Sequence, residues 1–185
     1  MSLLTGGNIA NIERVEIETE ETSPEKYVFE TASSCSFNAS VSSGEEKEQR
    51  VKNRIMGLLR TEDIVKGYDI EMSDQRLIAE IMALIDGGTL TKSETDGWTK
   101  YASPAAGSTV TRKSFKMSLY TSDRGTDGEA IEYYKWTFAG CKGSPVSGSA
   151  KDGDFSEMKY SIKSRPPIGV SPLELTRVDQ LPSVA

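Results

Sequence analysis

The sequence predicts a mainly β protein: an antiparallel sandwich or barrel with one flanking helix and an extended arm at each end. Three observations predict it. Several segments alternate apolar and polar residues with a period of two, the repeat of a half-buried strand. One stretch, about residues 75–86, shifts to the repeat of an amphipathic helix. Gly, Pro, Asn and Asp clusters interrupt the chain at short intervals, as turns between strands do.

The 185 residues fit one domain. Residues 1–10 hold Gly6, Gly7 and Asn8 without periodicity and read as an N-terminal arm. Residues 11–165 read as a single sandwich domain. Ile12, Val15 and Ile17 stand among Glu13, Glu16 and Glu18, a strand with one wet face whose alternation slips once. Ser23-Pro24-Glu25-Lys26 signals a turn, and residues 27–30 resume as a strand to give a hairpin. In residues 34–41, Cys35, Phe37, Ala39 and Val41 point one way and Ser34, Ser36, Asn38 and Ser40 the other.

Residues 42–54 are a polar insertion, starting Ser42-Ser43-Gly44 and running through Glu45, Glu46, Lys47 and Glu48. Three readings stay open: a solvated loop, a short helix with pairs such as Glu48 and Lys52, or an extension ordered on meeting a neighbouring subunit. The apolar residues from Ile55 to Leu59 are expected to re-enter the core.

Tyr68, Ile70 and Met72 share a face of the next strand. Leu77, Ile78, Ile81, Met82, Leu84 and Ile85 then form one helical stripe about three turns long. Ser73 or Asp74 is the expected N-cap, and Gly87-Gly88 ends the helix. Strands at 89–92 and 98–101 flank a turn at Asp96-Gly97, and residues 103–108 form a loop. Residues 112–122 alternate, with Phe115, Met117 and Leu119 on one face. With the aromatic-rich 129–138 and the polar turn at 123–128 they predict a hairpin. A strand at 144–150, a turn at Asp152-Gly153 and a strand at 155–163 with Met158, Tyr160 and Ile162 inward complete the domain. Pro166-Pro167 stops regular pairing. Residues 166–185 read as a C-terminal arm. Ser171-Pro172-Leu173-Glu174 fits a capped helix start, so a short helical turn or a docking arm is expected there.

The charge is −6, the pI about 4.9, and no Lys/Arg run occurs. A grip on nucleic-acid phosphates needs a basic face, so composition argues against one. No apolar run approaches the ~20 residues of a membrane helix. No basic-then-apolar leader opens the chain, so no secretory signal is expected and folding in a reducing cytoplasm is. Cys35 and Cys141 show neither CxxC nor metal-ligand spacing; they read as buried thiols or small core residues, with a disulfide between them left open. The sequon Asn38-Ala39-Ser40 reads as chance without a secretory route.

Catalytic chemistry finds no anchor. The chain has no histidine, which removes the Ser-His-Asp and Cys-His arrangements and the HExxH zinc helix. The phosphate-cradling motifs GxGxxG and GxxxxGK[ST] are missing. Asp123 and Asp127-Gly128 resemble half a calcium loop, but Gly125 and Tyr134 stand where oxygen ligands belong, so a hairpin turn is the reading. Asp152-Gly153-Asp154 is likewise a turn, and Glu132 neighbours tyrosines rather than a second carboxylate. No catalytic residue, metal or cofactor is expected. Tyr120, Tyr133, Tyr134, Trp136 and Phe138 crowd one hairpin and cannot all enter one core. They read either as cross-strand packing or, for Tyr133, Tyr134 and Trp136, as a subunit interface.

Residues 66–74, KGYDIEMSD, lead into a helix ending IMALIDGGTL at residues 81–90. The later half then runs through an aromatic strand, F-x-x-C-K-G at 138–143, a small-residue strand at 144–150, D-G-x-F at 152–155 and K-S-R-P at 163–166. This order of segments resembles that of the major tail tube proteins of tailed phages and prophages of Gram-positive bacteria. The likeness covers residues 64–175. It implies a sandwich that forms hexameric rings, stacked into a tube that conducts DNA without specific binding, in a virion tail assembled in the bacterial cytoplasm. It implies as partners copies of the chain itself, then tape-measure, tail-terminator, distal tail or baseplate proteins, and no membrane. An acidic lumen would offer phosphates no grip. Loops and arms would join ring to ring, with Ser43, Gly44, Glu45, Glu46, Lys47 and Glu48 as inter-ring candidates and Leu3, Leu4, Ile9, Leu173, Leu175 and Val178 as terminal-arm candidates. The competing readings are the tube of a contractile phage-like bacteriocin, and a monomeric sandwich module of a tail tip or cell-surface adhesin.

Overall fold

The computed structural model describes residues 6–93 and 97–183. Strand β1 (Ile9–Thr19) forms a hairpin with β2 (Lys26–Phe29). The slip in its alternation is a kink: Asn11 takes φ +53°, and the ladder to β9 (Phe115–Arg124) steps at Ala10/Ile12 and Ile12/Arg14. β3 (Ala32–Ser42) pairs with β6 (Ile64–Asp74). Between them β4 (Glu46–Val51) and β5 (Arg54–Arg60) form a separate two-stranded ribbon. Helix α1 (Ala79–Asp86) follows, then a second small ribbon of β7 (Thr89–Ser93) and β8 (Gly97–Ala102). β9 and β10 (Ala130–Gly143) make the predicted long hairpin. β11 (Ser147–Ser149), β12 (Glu157–Ser164) and β13 (Leu173–Val178) end the chain.

Nine strands form one antiparallel sheet in the order β2-β1-β9-β10-β12-β6-β3, with β11 added to β12 and β13 to β10. In a flat sheet β3 would lie about 14 Å from β10, three strand spacings away. Yet the Phe37 ring of β3 sits 5.3 Å from Trp136 and 5.2 Å from Phe138 of β10. The sheet therefore folds over on itself into two layers. Its path ends at β2 and β3 without a ladder joining them among the described residues, so it is an open sandwich and not a barrel. The fold occurs in β10, whose residues 133–138 pair with β13 while 141–143 pair with β12. Gly140 lies between, at φ +59°, where a Cβ would come within 2.7 Å of Pro166 Cα.

Val15, Ile17, Met117 and Phe138 from one layer meet Ile70, Met72, Tyr160 and Ile162 from the other, with Ile81 and Ile85 of α1 joining them. Cys35 and Cys141 are both free thiols. Burial pushes each thiol up to about 12, so both behave as packing groups. β9 is buried on both faces. Behind the core, Tyr120 donates to Glu16 (3.3 Å) beneath the Lys135 ammonium, and Arg14 donates to the Pro182 carbonyl, drawing the chain end back to β1.

Five expectations need correction. The helix spans eight residues, about two turns, and starts at Ala79. Its N-cap is Ile78 without a side-chain cap: Ser73 and Asp74 are engaged in β6 pairing, and Asp74 instead accepts the Arg76 N–H at 2.8 Å. Gly87 does end it in the left-handed region, its N–H on the Ala83 carbonyl. The polar stretch 42–54 is neither loop nor helix but mostly the strand β4 and its turn. Ile55, Met56, Leu58 and Leu59 do not re-enter the core; they are 58–65% exposed. Around Ser171-Pro172-Leu173-Glu174 no helix starts; Leu173 opens β13, because the open edge of β10 offers the backbone a ladder. Asp96 of the expected turn lies outside the described residues.

Phe138 is fully buried and touches the rings of both Phe37 and Tyr68. Phe138→Ala is expected to cost ~3–5 kcal/mol in urea unfolding; a cost below about 1 kcal/mol would show that the rings do not hold the layers together.

Candidate assembly surface

The β3–β6 pair does not stop at the edge of the body. Its strands run on through residues 43–45 and 61–63 into β4 and β5, so one ribbon continues from core to tip. The joint is held by its own hydrogen bonds. Thr61 N–H donates to the Glu45 carbonyl (2.9 Å), Glu45 N–H to Thr61 Oγ1 (2.7 Å), and Gly44 N–H to Asp63 Oδ1 (2.8 Å). The backbones are so close that a Cβ on Gly44 would lie 1.8 Å from the Thr61 carbonyl oxygen. Lys52 turns the tip at φ +54°. From Ser42 to Val51 the extended chain reaches about 30 Å.

This arm has no core. Every residue of β4 is exposed, and in β5 only Gly57 is partly covered. An isolated two-stranded hairpin is marginal in water. Here it also shows water a run of large apolar side chains, Val51 (51% exposed), Met56 (65%) and Leu59 (64%) among them. Contiguous apolar surface on a protruding element marks a contact site. Its charges are segregated. Lys47 pairs with Glu45 (2.8 Å) and Arg60 lies 3.9 Å from Glu62 near the joint, while Arg50, Lys52 and Arg54 form a basic tip.

Of the inter-ring candidates, Ser43, Gly44 and Glu45 build the joint, and Glu46, Lys47 and Glu48 the near half of β4. The apolar residues of the far half were missed, because an apolar run is read as core by default. Their signal was present: Ile55, Met56, Leu58 and Leu59 place apolar side chains on both faces of a strand that follows a charged one.

The described terminal candidates lie in the main sheet and not in the arm's ribbon. Leu3 and Leu4 fall outside the described residues. Ile9 opens β1, half exposed. Leu173 packs on the core, Leu175 is half exposed, and Val178 faces Tyr133 across the ladder. Among the aromatic candidates, Trp136 turns inward, packing on Phe37 and donating to Thr121 Oγ1 (3.0 Å). Tyr133 projects to the other side of β10. The Tyr134 hydroxyl donates to Glu132 (2.9 Å), which also receives Arg177 from β13 (Nε, 2.8 Å). The hydrogen bond from Arg177 holds the Glu132 carboxyl below its ordinary range, and the Tyr134 hydroxyl adds to it. Nearby, Asn8 N–H donates to Asp123 (2.7 Å), so both chain ends are tied to the β9–β10 hairpin.

Among the described residues no group of three His, Cys, Asp or Glu is placed to hold a metal ion, and no helix is long and apolar enough to cross a membrane.

Two variants check these contacts. Gly44→Ala must push the Thr61 carbonyl away; cleavage by a dilute protease at the joint should quicken while the body's melting temperature stays within about 2 °C. An unchanged cleavage rate would mean the joint is not tight. For β13, the Glu132 carboxyl is lowered in the fold, so its contribution is present above the unfolded value and lost as pH falls through the lowered one. Amide exchange in residues 174–178 should speed up across that acid range. Arg177→Ala should already speed it about two- to fivefold at pH 7, and equal exchange in both proteins would refute the clip.

No protein-family model matches the chain, and no curated protein sequence matches it. Among solved structures, it is similar to a chain of the anti-feeding prophage (AFP) baseplate at 8% identity and a TM-score of 0.43, over 95% of this chain and 97% of that one. It is also similar to a chain of an extracellular contractile injection system, the PVC sheath–tube complex in its extended state, at 12% identity and a TM-score of 0.45, over 91% of each.

Proposed function

We propose that this chain is the tube subunit of a phage tail or phage-tail-like assembly, a non-catalytic protein that polymerises as stacked hexameric rings around a DNA-conducting lumen. The observation that carries the reading is the arm. It is a continuation of two core strands, fixed at a tight joint, that presents apolar side chains to water and has no body of its own to cover them. An exposed strand pair of this kind is a liability for a monomer and a ready contact for a second chain. The arm and the body surface that receives it are different patches; engaged head-to-tail, they either close into a ring or grow into a filament. The segment order of residues 64–175 supports the tail tube family in particular. Tape-measure, terminator, distal tail and baseplate proteins then follow as partners, and the host cytoplasm as the site of assembly.

Purified protein examined over a concentration series by light scattering and negative-stain electron microscopy should give rings or hollow tubes. Replacing residues 45–61 by a two-residue Asn-Gly turn should leave a folded monomer. Removing only 43–48 would strip β5 of its partner, so the whole ribbon is removed. A wild-type protein that stays monomeric at every concentration, with termini intact, would overturn the reading in favour of a monomeric binding module.

A further inference from the structure

Many of the body's charges are paired internally. Glu13 pairs with Arg124 (2.8 Å), Glu16 with Lys26 (3.3 Å), Glu18 with Lys116 (3.5 Å) and Glu21 with Lys113 (2.9 Å). This matters because residues 12–30 hold seven carboxylates against two cations, five of the chain's six net negative charges. The densest acidic region is thus already engaged by β9 and its approach.

Several places depart from that pattern, and two of them carry charge of a single sign. Residues 49–59 of the arm hold Arg50, Lys52 and Arg54 and no carboxylate, and none of the three makes an ion pair among the described residues. Ile55 and Met56 beside them are 58% and 65% exposed. In the β9–β10 turn, Asp127 and Glu129 make no ion pair among the described residues; Asp127 merely accepts the Glu129 N–H (3.1 Å). Arg124, on the same hairpin, is engaged with Glu13 and the Gly128 carbonyl. Ile131, two residues on, is 67% exposed. Each place thus combines unpaired charge of one sign with an uncovered branched or flexible apolar side chain.

We propose that the basic tip of the arm seats on the β9–β10 turn of a second copy, with Arg50, Lys52 and Arg54 against Asp127 and Glu129 and with Ile55, the ladder partner of Arg50, covering Ile131. This rests on the self-assembly reading and names its docking surface. A second copy is the occupant that the charges favour. The tip alone would also attract a nucleic acid or an anionic lipid surface, but a chain of net charge −6 is repelled by both. The carboxylates of the turn attract the tip and would otherwise stand unpaired. Long-range attraction brings the pieces together and sets their register, while apolar cover supplies the burial.

The test uses the full chain and two readouts. In the first, copies labelled with nitrogen-15 are mixed with unlabelled ones during assembly and treated with a carbodiimide, which joins an ammonium to a carboxylate in contact. Lys52 should be found joined to Asp127 or Glu129 in peptides of mixed isotope. Linkage to the carboxylates of residues 13–30 or 152–154, or within one chain only, would overturn the assignment. In the second, R50E/K52E/R54E should raise the concentration needed for assembly more than about tenfold, and D127K/E129K should do the same, because like charges then face each other. Combining both sets in one chain should restore assembly, and added salt should weaken the wild type. Triple-reversed protein that assembles as the wild type does, or a combined variant that is not restored, would sink this contact while leaving tube formation standing. A wild-type protein that never assembles would instead remove both. Circular dichroism and melting of each variant separate lost docking from lost folding.

Discussion

Both layers of the sandwich come from one hydrogen-bonded sheet, and they are held face to face by the rings of Phe37, Trp136, Phe138 and Tyr68. Backbone pairing alone would favour a flat, twisted sheet just as well, since every ladder would survive unfolding of the bend. What decides is burial. A ring removed from water contributes about 1.5–3 kcal/mol, and edge-to-face contacts between rings add to it. The bend is feasible because β10 contains small residues where it turns. Gly140 takes a left-handed backbone, and Gly143 lets the end of α1 approach so closely that a Cβ would lie 2.1 Å from the Ile85 carbonyl oxygen. The helix then closes one side of the fold that the rings created.

The arm inherits its aim from the same contact. β3 and β6 carry Phe37 and Tyr68, so the rings that join the layers also fix the two strands whose continuation is the arm. The joint at Gly44, Glu45 and Thr61 passes that direction outward through backbone and side-chain hydrogen bonds. Core packing and assembly are therefore coupled links. A change that loosens the rings reaches the arm through β3 and β6, while a change in the arm need not reach the rings.

The body was legible in the sequence because local rules suffice there. Period-two alternation marked β3, β6, β9 and β12, and the apolar stripe with Gly87 marked α1 and its end. What failed depended on neighbours distant in the chain. Asp74 had the chemistry of a helix cap but was taken by pairing with Met158 and Ala32, which no local window contains. Ser171-Pro172-Leu173-Glu174 had the pattern of a helix start, but the unpaired edge at Tyr133 to Phe138 lay thirty-odd residues earlier and won. In the candidate surface, residues 43–48 were legible as unusual because they are charged. Ile55 to Leu59 were not, because a single chain gives apolar residues no reason to be anything but core.

Charge pairing links the arm back to the proposed conduit. A tube that passes DNA must not hold it, and each exposed unpaired cation is a potential phosphate contact. In the body, lysines and arginines such as Lys113, Lys116 and Arg124 are drawn onto carboxylates of β1 and the β1–β2 turn. Among the described residues the tip cations Arg50, Lys52 and Arg54 lack such partners. Seated on Asp127 and Glu129 of a neighbour, they would be neutralised by assembly itself. The contact that builds the polymer would then also remove a grip on its cargo, and an unassembled subunit would expose the basic tip that the finished tube conceals.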